Sequence, residues 1–169
     1  MIGLVLIGLM GSGKSTVGTI VAQRLGWEMV DADLAITERT GTTVRELWES
    51  GGEAAYRRLE SETVLTALRR GAPVVIAAPG GVVLDPTVRA ALQDPFVVWL
   101  RTDPAILAGR VRVGDHRPLL GDDPLSVLAT MASTRTDLYR EIADAVIDTD
   151  QLSAEAVADR VLALLRNQP

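Results

Sequence analysis

The residues Gly8-Leu9-Met10-Gly11-Ser12-Gly13-Lys14-Ser15 fit the pattern G-x-x-x-x-G-K-[ST] without a mismatch. They follow an apolar run of strand length and open a segment of helical period, which is the context this pattern requires. Glycines let successive backbone N–H groups curl around phosphate oxygens. The start of a helix adds its partial positive charge. Lys14 can reach the β and γ phosphates, and the Ser15 hydroxyl can ligate Mg²⁺. The motif implies a bound nucleoside triphosphate but does not say what is done with it.

Carboxylates come next. Asp31 and Asp33 stand at the end of a second short apolar run. Spaced by two, they project the same way if the chain stays extended. One would then serve a magnesium-bound water and the other an acceptor hydroxyl. The plainer alternative is that Asp33 caps a helix beginning at Leu34. A generic phosphate-loop ATPase carries an acid at the end of a strand for its magnesium. The third strand here ends Ala77-Ala78-Pro79-Gly80-Gly81, without one. No Asn-Lys-x-Asp guanine-reading segment is present.

The arginines fall into groups. Arg57 and Arg58 are adjacent on a long helical segment, Arg110 and Arg112 precede a glycine- and proline-rich stretch, Arg117 lies inside it, and Arg135 and Arg140 follow it. Most arginines on helices are solvated or paired. Arg117-Pro118, in a glycine-flanked loop, is placed to close over a transferring phosphoryl group. His116 beside it reads as a loop residue. Arg57 and Arg135 are far apart in sequence. One anionic group held between them would explain both, as would separate ion pairs with surface carboxylates such as Glu53 or Glu60.

The elements that position these residues alternate. Strands are expected over 2–7, 28–31, 74–78, 96–100 and 145–148, with helices over 14–25, 34 onward, 52–70, 125–141 and a closing segment through Leu165. Thr43-x-x-Glu46 is a capping-box pattern before Leu47 and Trp48. Asp85-Pro86 and Asp103-Pro104 each read as a cap followed by proline at the first helical position. Ala55, Leu59, Val64 and Leu68 are the expected buried stripe of the long helix. Residues 113–124 read as a mobile loop. Alternating strands and helices imply a parallel sheet covered on both faces, with ligands beyond the carboxyl ends of its strands.

Composition narrows the function classes. The chain has 169 residues, 47% hydrophobic and 23% charged, enough for one domain with a buried core. Its 17 Lys+Arg against 22 Asp+Glu leave a net charge of −5, the wrong sign for a nucleic-acid surface. Aromatics at 4% are too few for a base-stacking platform. No cysteine is present, which removes disulfides, thiolate catalysis and cysteine-held metals, and a single histidine removes a histidine metal cluster. No run reaches the roughly 18 apolar residues of a membrane span. The apolar N-terminus lacks a basic start, so a buried strand and a cytoplasmic protein are expected.

At this point the residues resemble a family. The chain is similar to shikimate kinase, of the nucleoside monophosphate kinase-like group, over nearly its whole length. The resemblance rests on the phosphate loop continued through Thr16-Val17-Gly18, on Asp31-Ala32-Asp33, on Gly52-Glu53-x-x-Tyr56-Arg57-Arg58-Leu59-Glu60, on Gly80-Gly81, on Arg117-Pro118-Leu119-Leu120 and on Arg135-x-x-Leu138-Tyr139. It implies a three-layer α/β phosphate-loop fold with a five-stranded parallel sheet in the order 2-3-1-4-5 and a lid over about 113–124. It implies one kinase domain over 1–169, with substrate-binding helices over about 33–70. It further implies ATP-dependent phosphorylation of the shikimate 3-hydroxyl with Mg²⁺, by a cytoplasmic monomer with no nucleic-acid or membrane partner.

The resemblance also assigns residues. Gly11, Ser12, Gly13, Lys14, Ser15, Thr16, Arg110 and Arg117 would hold nucleotide. Ser15 and Asp31 would serve the metal. Asp33, Arg57, Gly80, Gly81 and Arg135 would hold shikimate. Asp33 would be the base, with Lys14 and Arg117 stabilising charge. The family usually has three consecutive glycines where this chain has Pro79-Gly80-Gly81. Two rivals follow: a kinase of the same scaffold acting on another small polyol or hydroxy acid, and an ATP-binding module without transfer.

Overall fold

The computed structural model describes residues 3–71, 73–111, 120–121 and 123–167. Five strands form one parallel sheet: β1 (Gly3–Ile7), β2 (Glu28–Asp31), β3 (Val74–Ala77), β4 (Phe96–Arg101) and β5 (Ala145–Asp148), in the order β2-β3-β1-β4-β5. The expected topology is therefore the observed one. The central strand β1 is buried at all five positions. Its alternating side chains divide the core. Val5 and Ile7 join one cluster with Ile76, Val97, Trp99 and Tyr139, whereas Leu4 and Leu6 join the other with Val75, Val98, Leu100 and Ile147.

Helices cover both faces. α1 (Lys14–Leu25) and α7 (Ala154–Arg166) lie on the second cluster, through Val17, Val21, Val157 and Val161. α3 (Val44–Leu68), α4 (Pro86–Ala91), α5 (Pro104–Arg110) and α6 (Pro124–Ile142) lie on the first, through Val64, Val88, Leu107 and Leu128. The short α2 (Ala32–Thr40) packs on α3. The cap signals hold. Thr43 and Glu46 form a reciprocal capping box, and Asp85 and Asp103 accept from Thr87 N and Ala105 N ahead of their prolines.

α3 starts behind the Thr43 capping box, and it is broken at Gly52, where the expected 52–70 segment begins: φ 71° and ψ 177° there are a conformation reserved essentially for glycine. The expected buried stripe needs correction. Of the expected stripe, only Val64 is fully buried; the buried set is Tyr56, Glu60, Ser61, Thr63, Val64 and Ala67. Polar side chains, Glu60, Ser61 and Thr63, are buried in the part of the helix after Gly52. The expected loop over 113–124 falls mostly outside the described residues, together with Arg112, His116, Arg117 and Pro118.

A Cβ added at Gly52 meets nothing within 4 Å. Gly52→Ala therefore introduces backbone strain without a clash. The expected outcome is a loss of about 1–3 kcal/mol in urea unfolding; an unchanged midpoint would show that the break is not held in solution.

Candidate active site

The phosphate loop leaves β1 through Gly8, whose φ is 145°. A Cβ there would stand 2.5 Å from the Leu100 carbonyl oxygen, so only glycine fits between β1 and β4. Gly13, in the left-handed region, starts α1 with no side-chain cap and no acidic residue in the first turn. The first N–H groups of α1 thus present donors and positive potential to an anion. Lys14 Nζ bridges the loop by donating to the carbonyl oxygens of Gly8 and Leu9, both at 2.8 Å. A cavity of about 320 Å³ brings Gly13, Lys14 and Ser15 together with Asp31, Asp33 and Arg110.

The two aspartates do not project in parallel from an extended chain. Asp31 ends β2 and caps α2, its Oδ1 accepting from the N–H groups of Asp33 (3.1 Å) and Leu34 (3.3 Å). The helix begins at Ala32, and the capping residue is Asp31, not Asp33. Asp33 sits exposed in the first turn of α2, where its Oδ1 accepts from the Tyr56 hydroxyl at 3.1 Å. Both carboxylates still border the phosphate-loop cavity. Hard oxygen donors at Ser15 and Asp31 suit a divalent ion that keeps its waters. Among the described residues no group of three or more His, Cys, Asp or Glu side chains could cage a metal.

Behind Asp33 lies a buried charge cluster. Arg57 donates from Nη1 to Glu60 Oε2 at 2.7 Å and from Nη2 to Glu53 Oε1 at 3.3 Å. Its guanidinium stands over the rings of Trp48 and Tyr56, at 5.7 and 5.9 Å from their centroids. Gly81 makes room for it, since a Cβ there would lie 1.9 Å from Nη1. Glu60 is not the surface carboxylate that its sequence context allowed: its side chain is 3% exposed. Burial pushes its carboxyl up to about 6; Arg57 and Arg135 oppose the rise, and the Asp33 charge adds to it. Arg57 is held above its ordinary value: burial acts to lower it, and Glu60 and Glu53 more than offset that.

Arg135, on α6, is also buried, and its Nε finds no hydrogen-bond partner among the described residues. A buried guanidinium with an unused donor is a seat for an anion. One turn on, the Tyr139 hydroxyl donates to the Gly80 carbonyl oxygen at 2.7 Å. Burial pushes the Tyr139 phenol up to about 12, with the Arg135 charge acting in the opposite sense. The Pro79 turn closes through Val82 N, which donates to the Pro79 carbonyl oxygen at 3.2 Å. Proline's missing N–H is therefore not used in closing this turn. Arg58 is exposed and Arg140 pairs with Asp137, as expected of surface arginines. Sequence reasoning missed the buried state of Glu60 and the Tyr56–Asp33 bond. The one available signal was that Tyr56 and Glu60 are four apart and so share a helix face.

Glu60 carries a pH signature. Its folded value of about 6 lies above the ordinary 4.5. Folding therefore takes up a proton between these values; the stabilisation is full below 4.5 and is lost as pH rises through about 6. Between about pH 5 and about pH 7 the ligand-free protein is expected to lose about 1 kcal/mol relative to Glu60→Gln in urea unfolding. A difference that does not change with pH would show that Glu60 titrates as an ordinary surface carboxylate.

Comparison with known proteins agrees with this geometry. Residues 10–166 match the family model described as Shikimate kinase. The chain is 42% identical over 161 residues to a shikimate kinase of Dechloromonas aromatica, covering 93% of this chain and 86% of that protein. It is 43% identical over 164 residues to one of Xanthomonas axonopodis pv. citri, covering 95% and 91%. Among solved structures, shikimate kinase from Acinetobacter baumannii in complex with shikimate superposes with a TM-score of 0.93 at 33% identity, covering 98% of this chain and 93% of that one. A family model matched over residues 10–166 and relatives matched over nearly the full chain place this protein, with its phosphate cradle, nearby carboxylate and buried Arg135, in the shikimate kinase family.

Proposed function

We propose that this chain transfers the γ-phosphoryl group of ATP to the 3-hydroxyl of shikimate, giving shikimate 3-phosphate and ADP, within aromatic amino-acid biosynthesis. The observation that carries this reading is the buried Arg135, whose Nε has no hydrogen-bond partner among the described residues and so suits an anionic acceptor. The relative that superposes with a TM-score of 0.93 was solved with shikimate bound. The reading treats residues 1–169 as one kinase domain, a cytoplasmic monomer acting on two dissolved small molecules. No helix among the described residues is long and apolar enough to cross a membrane.

The layout of the site supports a role for each residue. The N–H groups of the phosphate loop, with Ser12 in it, and Lys14 hold the β and γ phosphates; Thr16 and Arg110 line the same cavity as Lys14, and Arg110 would meet the nucleoside. Mg²⁺, held by Ser15 and through water by Asp31, would neutralise charge between the phosphates. Arg57 and Arg135 hold the acceptor carboxylate as guanidinium forks, and the Gly80-Gly81 turn lies against its ring. As the acceptor oxygen bonds to the γ phosphorus, the bond to the β–γ bridging oxygen breaks and Asp33 takes the hydroxyl proton. Arg117 of the lid would stabilise the transferring group. A module that only senses ATP would have no use for Asp33, Arg57 and Arg135 together.

ADP release across a panel of hydroxy acids tests the acceptor. Shikimate is expected to be preferred, and an analogue lacking the carboxylate to be used poorly. Arg135→Lys should raise the KM for shikimate by roughly 10-fold or more with little change for ATP, because ammonium cannot reproduce the fork. Equal use of the carboxylate-free analogue by the unmodified protein would show that no carboxylate is read. Asp33→Asn should lower kcat by roughly 10² with nucleotide affinity kept; turnover near normal at saturating shikimate would remove Asp33 from the chemistry.

A further inference from the structure

The hydroxyl of Tyr56 has no part in the roles set out above, yet it reaches the residue on which the chemistry turns. It donates to Asp33 Oδ1 at 3.1 Å across 23 residues of sequence. The two ends of this bond differ in kind. Tyr56 is 4% exposed, and its ring packs edge-on to Trp48 with centroids 5.8 Å apart at 61°. Asp33 stands on the exposed first turn of α2. A rigid, buried donor thus grips one oxygen of a carboxylate on an exposed helix turn.

We propose that Tyr56 is a positioning residue for Asp33, its O–H fixing the rotation of the carboxylate so that the acceptor hydroxyl meets an oriented base. The proposal rests on the reading of Asp33 as proton acceptor and deepens it. The outer torsion of an aspartate is broad. A charge-assisted hydrogen bond removes that freedom. The donor loses little in making it, because the Tyr56 ring is already held between Trp48 and the Arg57 guanidinium. Burial, followed by the Asp33 and Glu60 charges, raises Tyr56 well above the usual phenol range, with Arg57 opposing. The hydroxyl is therefore a donor at every working pH. Asp31 completes the arrangement by accepting from Asp33 N. The main chain of Asp33 is held from one side and its carboxylate from the other. Preorganisation of this kind appears in kcat and not in binding.

The experiment is steady-state kinetics on the full chain with ATP, Mg²⁺ and shikimate, for Tyr56→Phe, Asp33→Asn and the double variant. Phenylalanine keeps the ring against Trp48, so the thermal midpoint is expected to stay within about 3 °C of the unmodified protein. Tyr56→Phe should lower kcat roughly 3- to 10-fold and leave both KM values within about twofold. On the Asp33→Asn background the same change should cost less than about 1.5-fold, since no carboxylate remains to be oriented. An unchanged kcat, a loss confined to the KM of shikimate, an equal loss on both backgrounds, or a midpoint lowered by more than about 8 °C would each overturn the positioning role. Wild-type turnover in Asp33→Asn would instead overturn the reading of Asp33 as base, which separates the two failures.

Discussion

The chain turns out of β1 at a backbone position that only glycine can occupy, and the rest of the site is built on that close approach. Gly8 lies against the Leu100 carbonyl at the end of β4, which holds the phosphate loop down on the sheet. The Gly8 carbonyl receives Lys14, and it stands 3.0 Å from where a Gly80 Cβ would be. The phosphate loop and the turn after β3 therefore touch through backbone alone. Gly80 in turn accepts from Tyr139, four residues and about one turn along α6 from Arg135. One run of contacts joins the nucleotide cradle to the buried guanidinium. Its geometry is possible because β1 lies between β3 and β4, so that all three carboxyl ends meet at one edge.

Charge burial is the second constraint. Glu60 is nearly sealed from water, and its carboxyl is costly to ionise there. Arg57 and Arg135 both act on it, so the cleft holds more positive charge than Glu60 alone neutralises. Arg135 Nε has no hydrogen-bond partner among the described residues, which carries a cost to stability. An anionic acceptor would supply one. Cation and aromatic contacts to Trp48 and Tyr56 hold Arg57 in place, so binding need not order it again.

Much of the fold was legible in the sequence, because its signals are local. The apolar runs gave the strands, Asp-Pro pairs gave two helix starts, Thr43 and Glu46 gave another, and the phosphate-loop pattern placed the cradle. The failures share a cause. Asp31 and Asp33 looked like two acids on an extended chain, but the chain turns helical at Ala32 because Asp31 can satisfy the first N–H groups of α2. Glu60 looked like a surface acid because charge on a helix usually is one. Arg57 is local, three residues away on the same helix, but Arg135 of α6 reaches Glu60 from elsewhere, which no local pattern records. Tyr56 read as part of a motif, and its hydroxyl bond to Asp33 becomes visible only once α2 and α3 are packed.

The two halves of the cleft are therefore held by different parts of the chain. On the nucleotide side the donors are mostly backbone N–H groups, so glycine placement and the start of α1 decide the geometry. On the acceptor side the groups are side chains on α2, α3 and α6, and their mutual contacts decide it. Pro79 stands where these halves meet. It follows the last buried residues of β3 and precedes the two glycines against which Tyr139 and Arg57 are set. Fixing φ there stiffens the turn without touching the phosphate donors. The Gly80 carbonyl still accepts from Tyr139, and the missing Gly81 side chain still leaves room for the Arg57 guanidinium. The physical consequence of a proline at this junction is a turn with fewer conformations to lose on folding.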